Sequence, residues 1–265
     1  MNRVDVRRLA KRKKGLEVRL PPIHERVSAV REYQVFLRKL LRELAAEVRT
    51  SVIPAYTADR RQRTLIGDND FWLIRLRSKM AELERAATQF VRRVLGLESK
   101  RHTDAFISHL KRALGVDLEA VIRQEDLADF LDDAVARNVS LIRSLSQDTF
   151  KRIEQAVIAA KIGGQSANSL RKALQKEFGV SAKRAELIAQ DQMSKLTSDL
   201  NRQRQQQIGI SEYVWTTSRD ERVRQRHAEL EGTTYKWGEP TDAEQGLPPG
   251  QPIRCRCVAV GVVKF

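Results

Sequence analysis

Three side chains near the C-terminal end of the sequence are of types that do metal chemistry: His227, Cys255 and Cys257. A thiolate pair plus an imidazole supplies three of the four donors of a tetrahedral zinc site. The Cys-x-Cys spacing is tighter than the Cys-x2-Cys of common zinc knuckles, and no fourth ligand stands out in the sequence. Two buried small thiols and a hydrogen-bonded core histidine are therefore the favoured reading, with zinc as the alternative and no other cofactor indicated. Cysteines one residue apart do not form a disulfide framework. Asp220 is the one acid identified close to His227, seven residues before it. On a continuous helix that is about 10 Å along the axis, so both reach one ion only if the helix starts after Asp220. Metal-assisted phosphodiester cleavage normally needs clustered carboxylates. Asp220 alone does not provide them, so no catalytic residue is assigned and the chain reads as a non-enzyme. More simply, Asp220 accepts charge-assisted hydrogen bonds from nearby arginines or from backbone N–H groups at a helix start. Arg222, Arg224, Arg226, Arg254 and Arg256 suit phosphate contacts and internal ion pairs equally.

These residues must be positioned by a small mixed unit that begins where the composition changes, at Ser211. Glu212 to Thr217 is rich in β-formers and alternates well enough for a short strand. Ser218 followed by Glu221 is a capping-box pattern, which predicts a helix from about Arg219 carrying Val223, His227 and Leu230 on its inner side. Gly232 closes that helix, a loop rich in Pro, Gly and acid runs from Gly238 to Pro252, and the apolar run after Cys257 reads as a buried strand. A strand-helix-strand unit of about fifty residues has little core of its own, so it must dock on helices or be stapled.

Upstream, everything reads as helix. After Pro21-Pro22, apolar residues fall at Ile23, Val27, Val30, Leu37, Leu41, Leu44 and Val48, with Gln34 filling one slot. A second stripe runs Leu73, Leu76, Met80, Leu83, Ala87, Phe90, Val94 and Leu97. Both advance by alternating steps of three and four, and two matched narrow seams suggest an antiparallel hairpin. Its connection, residues 50 to 69, contains Pro54 and Gly67 and is long for a helix turn. Further helix follows, with Leu127, Leu131 and Ala134 and then Phe150, Ile153, Val157 and Ala160 on one face. Gly163-Gly164 ends it, Ser166 caps a short helix to Phe178, and Gly179 separates that from a last long helix capped by Ser181 and stopping near Gly209. The acids Glu125, Asp126, Asp129, Asp132 and Asp133 lie opposite the stripe and read as a solvated face.

The chain of 265 residues carries 49 Lys+Arg against 34 Asp+Glu, a net charge of +15, of which +14 belongs to residues 1 to 113. A 41% apolar content excludes wholesale disorder, and 31% charged with 6% aromatic residues points to polar-faced helices. The densest charge, Arg7, Arg8, Lys11, Arg12, Lys13 and Lys14, reads either as an unstructured leader or as a flexible arm for double-stranded DNA or another polyanion. No apolar run approaches bilayer length and the N-terminus lacks a secretory pattern, so a cytoplasmic protein without a membrane partner is expected.

The run Ile188 to Gln192, then Trp215 to Arg224, His227, Leu230, Gly232, Pro248-Pro249-Gly250 and Cys255-Arg256-Cys257, resembles the phage Mu F-like head morphogenesis family over roughly residues 150 to 263. The family motif thus includes Trp215, Asp220, Arg222, Arg224, His227, Gly232, Cys255, Arg256 and Cys257, for which a structural role is expected. The resemblance implies a minor head protein of a tailed bacteriophage, assembled in the host cytoplasm into the procapsid and virion. Its implied partners are the portal or the major capsid protein. Some relatives carry a Cys-x-x-Cys pair where this chain has Arg224 and His227, and a His where it has Gln251, so a metal set here would be depleted. The alternative function is a DNA-binding protein or metal-dependent nuclease of DNA packaging or delivery. The fold expected is mainly α with a small C-terminal α+β module. It divides into a basic flexible arm (1–20), a long helical hairpin (21–114), a helical region (115–209) and a compact strand-helix-strand unit (210–265).

Overall fold

The computed structural model describes residues 5–62, 71–124 and 127–265. Its elements are α1 (Val6–Leu9), β1 (Glu17–Arg19), α2 (Val27–Glu47), a π-helical turn (Val48–Val52), α3 (Ile53–Gln62), α4 (Phe71–Leu114), α5 (Glu119–Gln124), α6 (Ala128–Ile162), α7 (Ala167–Gln207), β2 (Glu212–Thr216), α8 (Gln225–Glu229), β3 (Thr234–Lys236) and β4 (Val258–Lys264). No described helix is long and apolar enough to cross a membrane. The chain forms two compact units that cut across the four consecutive segments expected: Met1–Val30, Val94–Asp132 and Gln190–Phe265 form one, Arg31–Arg93 and Asp133–Ala189 the other.

The second unit is all helix. Arg93 pairs with Glu32, Phe90 stacks on Phe36 at 3.8 Å, Lys79 pairs with Glu43 and Arg75 with Glu47, so α2 and α4 run antiparallel. Val30, Leu37, Leu41, Leu44 and Val48 are buried as the stripe predicts, whereas Val27 is exposed and Tyr33, beside Gln34, is the aromatic that goes inside. Its hydroxyl donates to Asn138 Oδ1 at 2.8 Å. The α4 seam buries Leu76, Met80, Leu83 and Ala87 in this unit and Val94 in the first, where Leu97 faces solvent.

Three expectations are corrected. The connection does not begin at residue 50: helix continues to Gln62, and Gly67 lies outside the described residues, as do Glu125 and Asp126 of the acidic run. Pro54 has no N–H to give, and the helix accommodates it by widening into the π turn just before it. Ser51 Oγ bonds the Glu47 carbonyl at 2.7 Å and Thr50 Oγ1 bonds that of Ala46 at 3.1 Å, satisfying acceptors at the bulge. Gly179 does not divide α7, which is continuous from Ala167. An exposed helical glycine costs only about 1 kcal/mol, less than the burial of its neighbours contributes. Ser181 is consequently no cap but a buried residue whose Oγ meets Thr149 Oγ1 at 2.9 Å. Ser166 does cap α7, accepting from the Ser169 N–H at 3.1 Å.

The first unit holds the sheet, ordered β1-β4-β2-β3 with every pairing antiparallel. Here the expected flexible arm is corrected: from residue 5 the segment is ordered. Asp5 caps α1 by accepting from the Arg7 N–H, Val6 and Ala10 are buried, and β1 pairs Val18 with Val263. The cause is apolar residues set among the cations: Val6, Ala10 and Leu20 join Phe106, Ile107, Leu110 and Leu114 of α4, Ile208, Ile210 and Val263 in one core. Arg7 is held by Asp5 and Arg12 donates to the Ala113 carbonyl, while Arg8, Lys11, Lys13 and Lys14 lie exposed.

Candidate functional site

The last turns of α7 are clamped to the sheet and to the Pro248-Pro249-Gly250 loop by hydrogen bonds. Ser198 Oγ donates to the Pro249 carbonyl at 2.7 Å and Gln251 Nε2 to Asp199 Oδ1 at 2.7 Å. Gln205, 2% exposed, donates to the Ala259 carbonyl and accepts from Trp237 Nε1, both at 2.9 Å. Gly250 sits at φ 87° with Ser198 Cβ 2.9 Å from where its own Cβ would be, so the Pro-Pro-Gly run ends on the residue that lets the loop meet the helix.

Next to this clamp lies a small second core of Trp215, Leu230, Ala243, Cys255 and Cys257, with Tyr235 against it. Trp215, from β2, is completely buried and stands edge-on to the His227 ring, 5.2 Å between centroids. The helix that carries His227 differs from the expectation. It starts at Gln225, and Arg224 precedes it in extended conformation without a side-chain cap. The Ser218-Glu221 box is not formed, because Asp220 makes the local turn instead: its Oδ1 accepts from the Arg222 N–H at 3.0 Å. Asp220 is thereby off the helix, but it does not turn toward His227. Both its oxygens bond Arg256 at 2.5 Å, and this ion pair holds the Asp220 carboxyl below the usual carboxylate range. Arg222 reaches the same carboxylate at 4.0 Å.

His227, Cys255 and Cys257 do converge. They are 2%, 2% and 3% exposed. His227 Nδ1 is 3.5 Å from Cys255 Sγ and 3.8 Å from Cys257 Sγ. The other ring nitrogen, Nε2, is 2.7 Å from Glu244 Oε2, and Arg224 lies 3.3 Å from the second oxygen of that carboxylate. Gly250 N–H donates to Cys255 Sγ at 3.3 Å. The Cys257 thiol as donor, then His227 and backbone N–H groups, bring Cys255 down to about 5 against the effect of burial. The same contact, and burial, push Cys257 up. Cys255 and Glu244 together raise the His227 pKa despite its burial. Chemically, one imidazole nitrogen and two sulfurs face one another, while a carboxylate fixes the imidazole from behind.

Sequence reasoning missed Glu244. It lies in the acid-rich loop, seventeen residues from His227, with no spacing signal to mark it. It also missed Glu231, which accepts from the Thr217 N–H at 2.6 Å and from Arg219 at 3.0 Å, closing the turn that holds Asp220. Gly232, at φ 80°, donates to the Trp215 carbonyl at 2.9 Å and brings the chain back beside β2.

Residues 151–260 match the family described as phage Mu protein F like protein. An uncharacterized protein of Haemophilus influenzae is 31% identical over 187 residues, covering 70% of this chain and 40% of that protein. The chain thus spans less than half the length of that relative. No solved structure matches it.

Proposed function

Since residues 151–260 of this chain belong to the phage Mu protein F-like family, we propose that the protein is a minor head protein of a tailed bacteriophage. In this reading it acts without catalysis in procapsid and head morphogenesis, beside the portal vertex. What supports the reading is where the matched residues go. Motif elements spread between Trp215 and Cys257 gather into one small core, and α7 is bonded to the loop beside it. They are used for packing and ion pairing, as a structural component requires. In the nuclease alternative, the carboxylate picked out from the sequence, Asp220, is bonded through both oxygens to Arg256, and the carboxylate beside His227 is Glu244 instead.

Contact with packaged double-stranded DNA is part of the proposal. Arg8, Lys11, Lys13 and Lys14 stand exposed on an ordered segment of the same unit as the sheet, and exposed cations held on a folded surface bind the phosphate backbone through counterion release. The experiment is assembly in the presence and absence of the protein. Co-expressed with the portal and major capsid proteins of its own genome, the chain is expected to co-sediment with procapsids at low copy number. Its deletion is expected to leave heads that do not become infectious particles. Normal yields of infectious particles without the gene, or heads free of the protein, would reject the proposal.

A further inference from the structure

The geometry points to a structural zinc site built from His227 Nδ1, Cys255 Sγ and Cys257 Sγ, with Glu244 as the residue that orients the histidine. A zinc ion with Zn–S of about 2.3 Å and Zn–N of about 2.0 Å in a tetrahedron requires N···S edges of about 3.5 Å and an S···S edge of about 3.8 Å. The two N···S distances are 3.5 and 3.8 Å, and all three donor atoms lie within 4.8 Å of one another. No other group of three or more His, Cys, Asp or Glu side chains able to share an ion occurs among the described residues. Two thiolates and an imidazole select zinc over the hard cations, which prefer oxygen.

Three further observations favour metal over a plain thiol core. First, Glu244 bonds Nε2, the nitrogen that faces away from the thiols. With the Nε2 proton held by this carboxylate, loss of the Nδ1 proton on metal binding would leave the Nδ1 lone pair on the side of the sulfurs, the arrangement in which metal-bound histidines are held. Arg224 fixes Glu244 in turn. Second, the Trp215 indole N–H is buried without a hydrogen bond and lies beside Cys257. A metal-bound thiolate gives that donor an acceptor, which a neutral thiol does only weakly. Third, among the described residues the non-glycine positions with left-handed backbone are Arg219, Gln245 and Arg254. They stand next to Asp220, Glu244 and Cys255, so the local strain is concentrated around this cluster, and such strain is kept where a particular side-chain placement is required.

The ion would join the turn carrying His227 to the chain entering β4 across 28 and 30 residues of sequence. That is the staple a core of five buried residues needs. Arg256, between the two sulfur ligands, points the other way to Asp220, leaving both thiols turned inward.

The test uses the full-length chain purified without a histidine tag. We expect about one equivalent of zinc by elemental analysis and, after exchange into cobalt, the intense thiolate-to-metal absorption together with tetrahedral d–d bands. Cys255→Ser and Cys257→Ser should abolish those bands. Since loss of a thiol can also unfold the core, Glu244→Gln is the decisive companion: it keeps all three ligands, should stay folded, and should weaken zinc about 10- to 100-fold in a competition titration. Folded wild-type protein that binds neither metal, a cobalt spectrum without the thiolate band, or a folded Glu244→Gln variant with unchanged zinc affinity would each overturn the proposal.

Discussion

Arg256 and Asp220 face each other fork to fork, the two guanidinium NH2 groups each 2.5 Å from one carboxylate oxygen. Arg256 lies between the two cysteines in sequence, so the pair ties the turn after β2 to the chain entering β4. With its pKa depressed by Arg256, Asp220 contributes stability above its unfolded value, and that contribution is lost as pH falls through the folded value. Asp220→Asn should therefore lower the melting temperature at pH 7 and have almost no effect near pH 2. Arg256→Lys should behave like a partial Asp220→Asn, because an ammonium cannot serve both oxygens in this geometry. Thermal unfolding followed by circular dichroism at the two pH values checks both.

Histidine chemistry elsewhere in the same unit gives a second pH dependence. His102 is buried, bonds Asn201 Oδ1 at 2.9 Å, and burial lowers its pKa to about 4. The unfolded chain binds this proton near pH 6.5 and the folded chain does not. Stability from this group is thus complete above pH 6.5 and declines as pH drops toward 4, by up to about 3 kcal/mol. Urea titrations at pH 7 and pH 4.5 should show the decline, and His102→Gln should flatten it.

Gly250 and Gly15 share a φ of 87°, but only Gly250 has a neighbour, Ser198 Cβ, where a methyl would go. Alanine at Gly15 should cost about 1 kcal/mol from backbone alone. Alanine at Gly250 should cost about 2–4 kcal/mol, since the loop must also leave α7. Equal urea midpoints for the two variants would show that the clamp yields freely.

The basic segment separates charge from architecture. Removing residues 1–19 takes away β1, whose Val18 and Arg19 pair with Val263 and Val262, and the buried Val6 and Ala10. We expect a loss of about 3 kcal/mol or more and an altered sheet. Exchanging Arg8, Lys11, Lys13 and Lys14 for Gln should instead leave stability within about 0.5 kcal/mol per site. If these cations neutralise DNA phosphates, each exchange should lower the slope of log affinity against log salt by about 0.9. Unchanged binding in that variant would remove DNA from the proposed role of this segment.

The helices were legible because periodicity reports burial directly: the α2 and α4 seams lie where three-four spacing puts them. Punctuation was less reliable. Gly179 and Pro54 break helices in isolation, yet one is absorbed within α7 and the other in a widened turn, since long buried faces outweigh a local cost of about 1–3 kcal/mol. The strand status of Glu17–Arg19 was hidden because its partner lies more than 240 residues away and its composition is that of a charged tail. In the candidate site, residue types identified His227, Cys255 and Cys257, but the carboxylate behind the imidazole is set by the loop's path and leaves no trace in spacing.

The strand order carries a consequence for synthesis. β4 lies between β1 and β2, so the two strands made earlier have no common partner until residues 258–264 leave the ribosome. β1 must wait unpaired through more than 240 residues of synthesis, and chains stopped short of β4 would expose two facing edges open to pairing with other molecules. Completion of this sheet therefore waits for β4. Pairing β1 with β4 closes a loop of more than 240 residues, and such distant pairing is intrinsically slow.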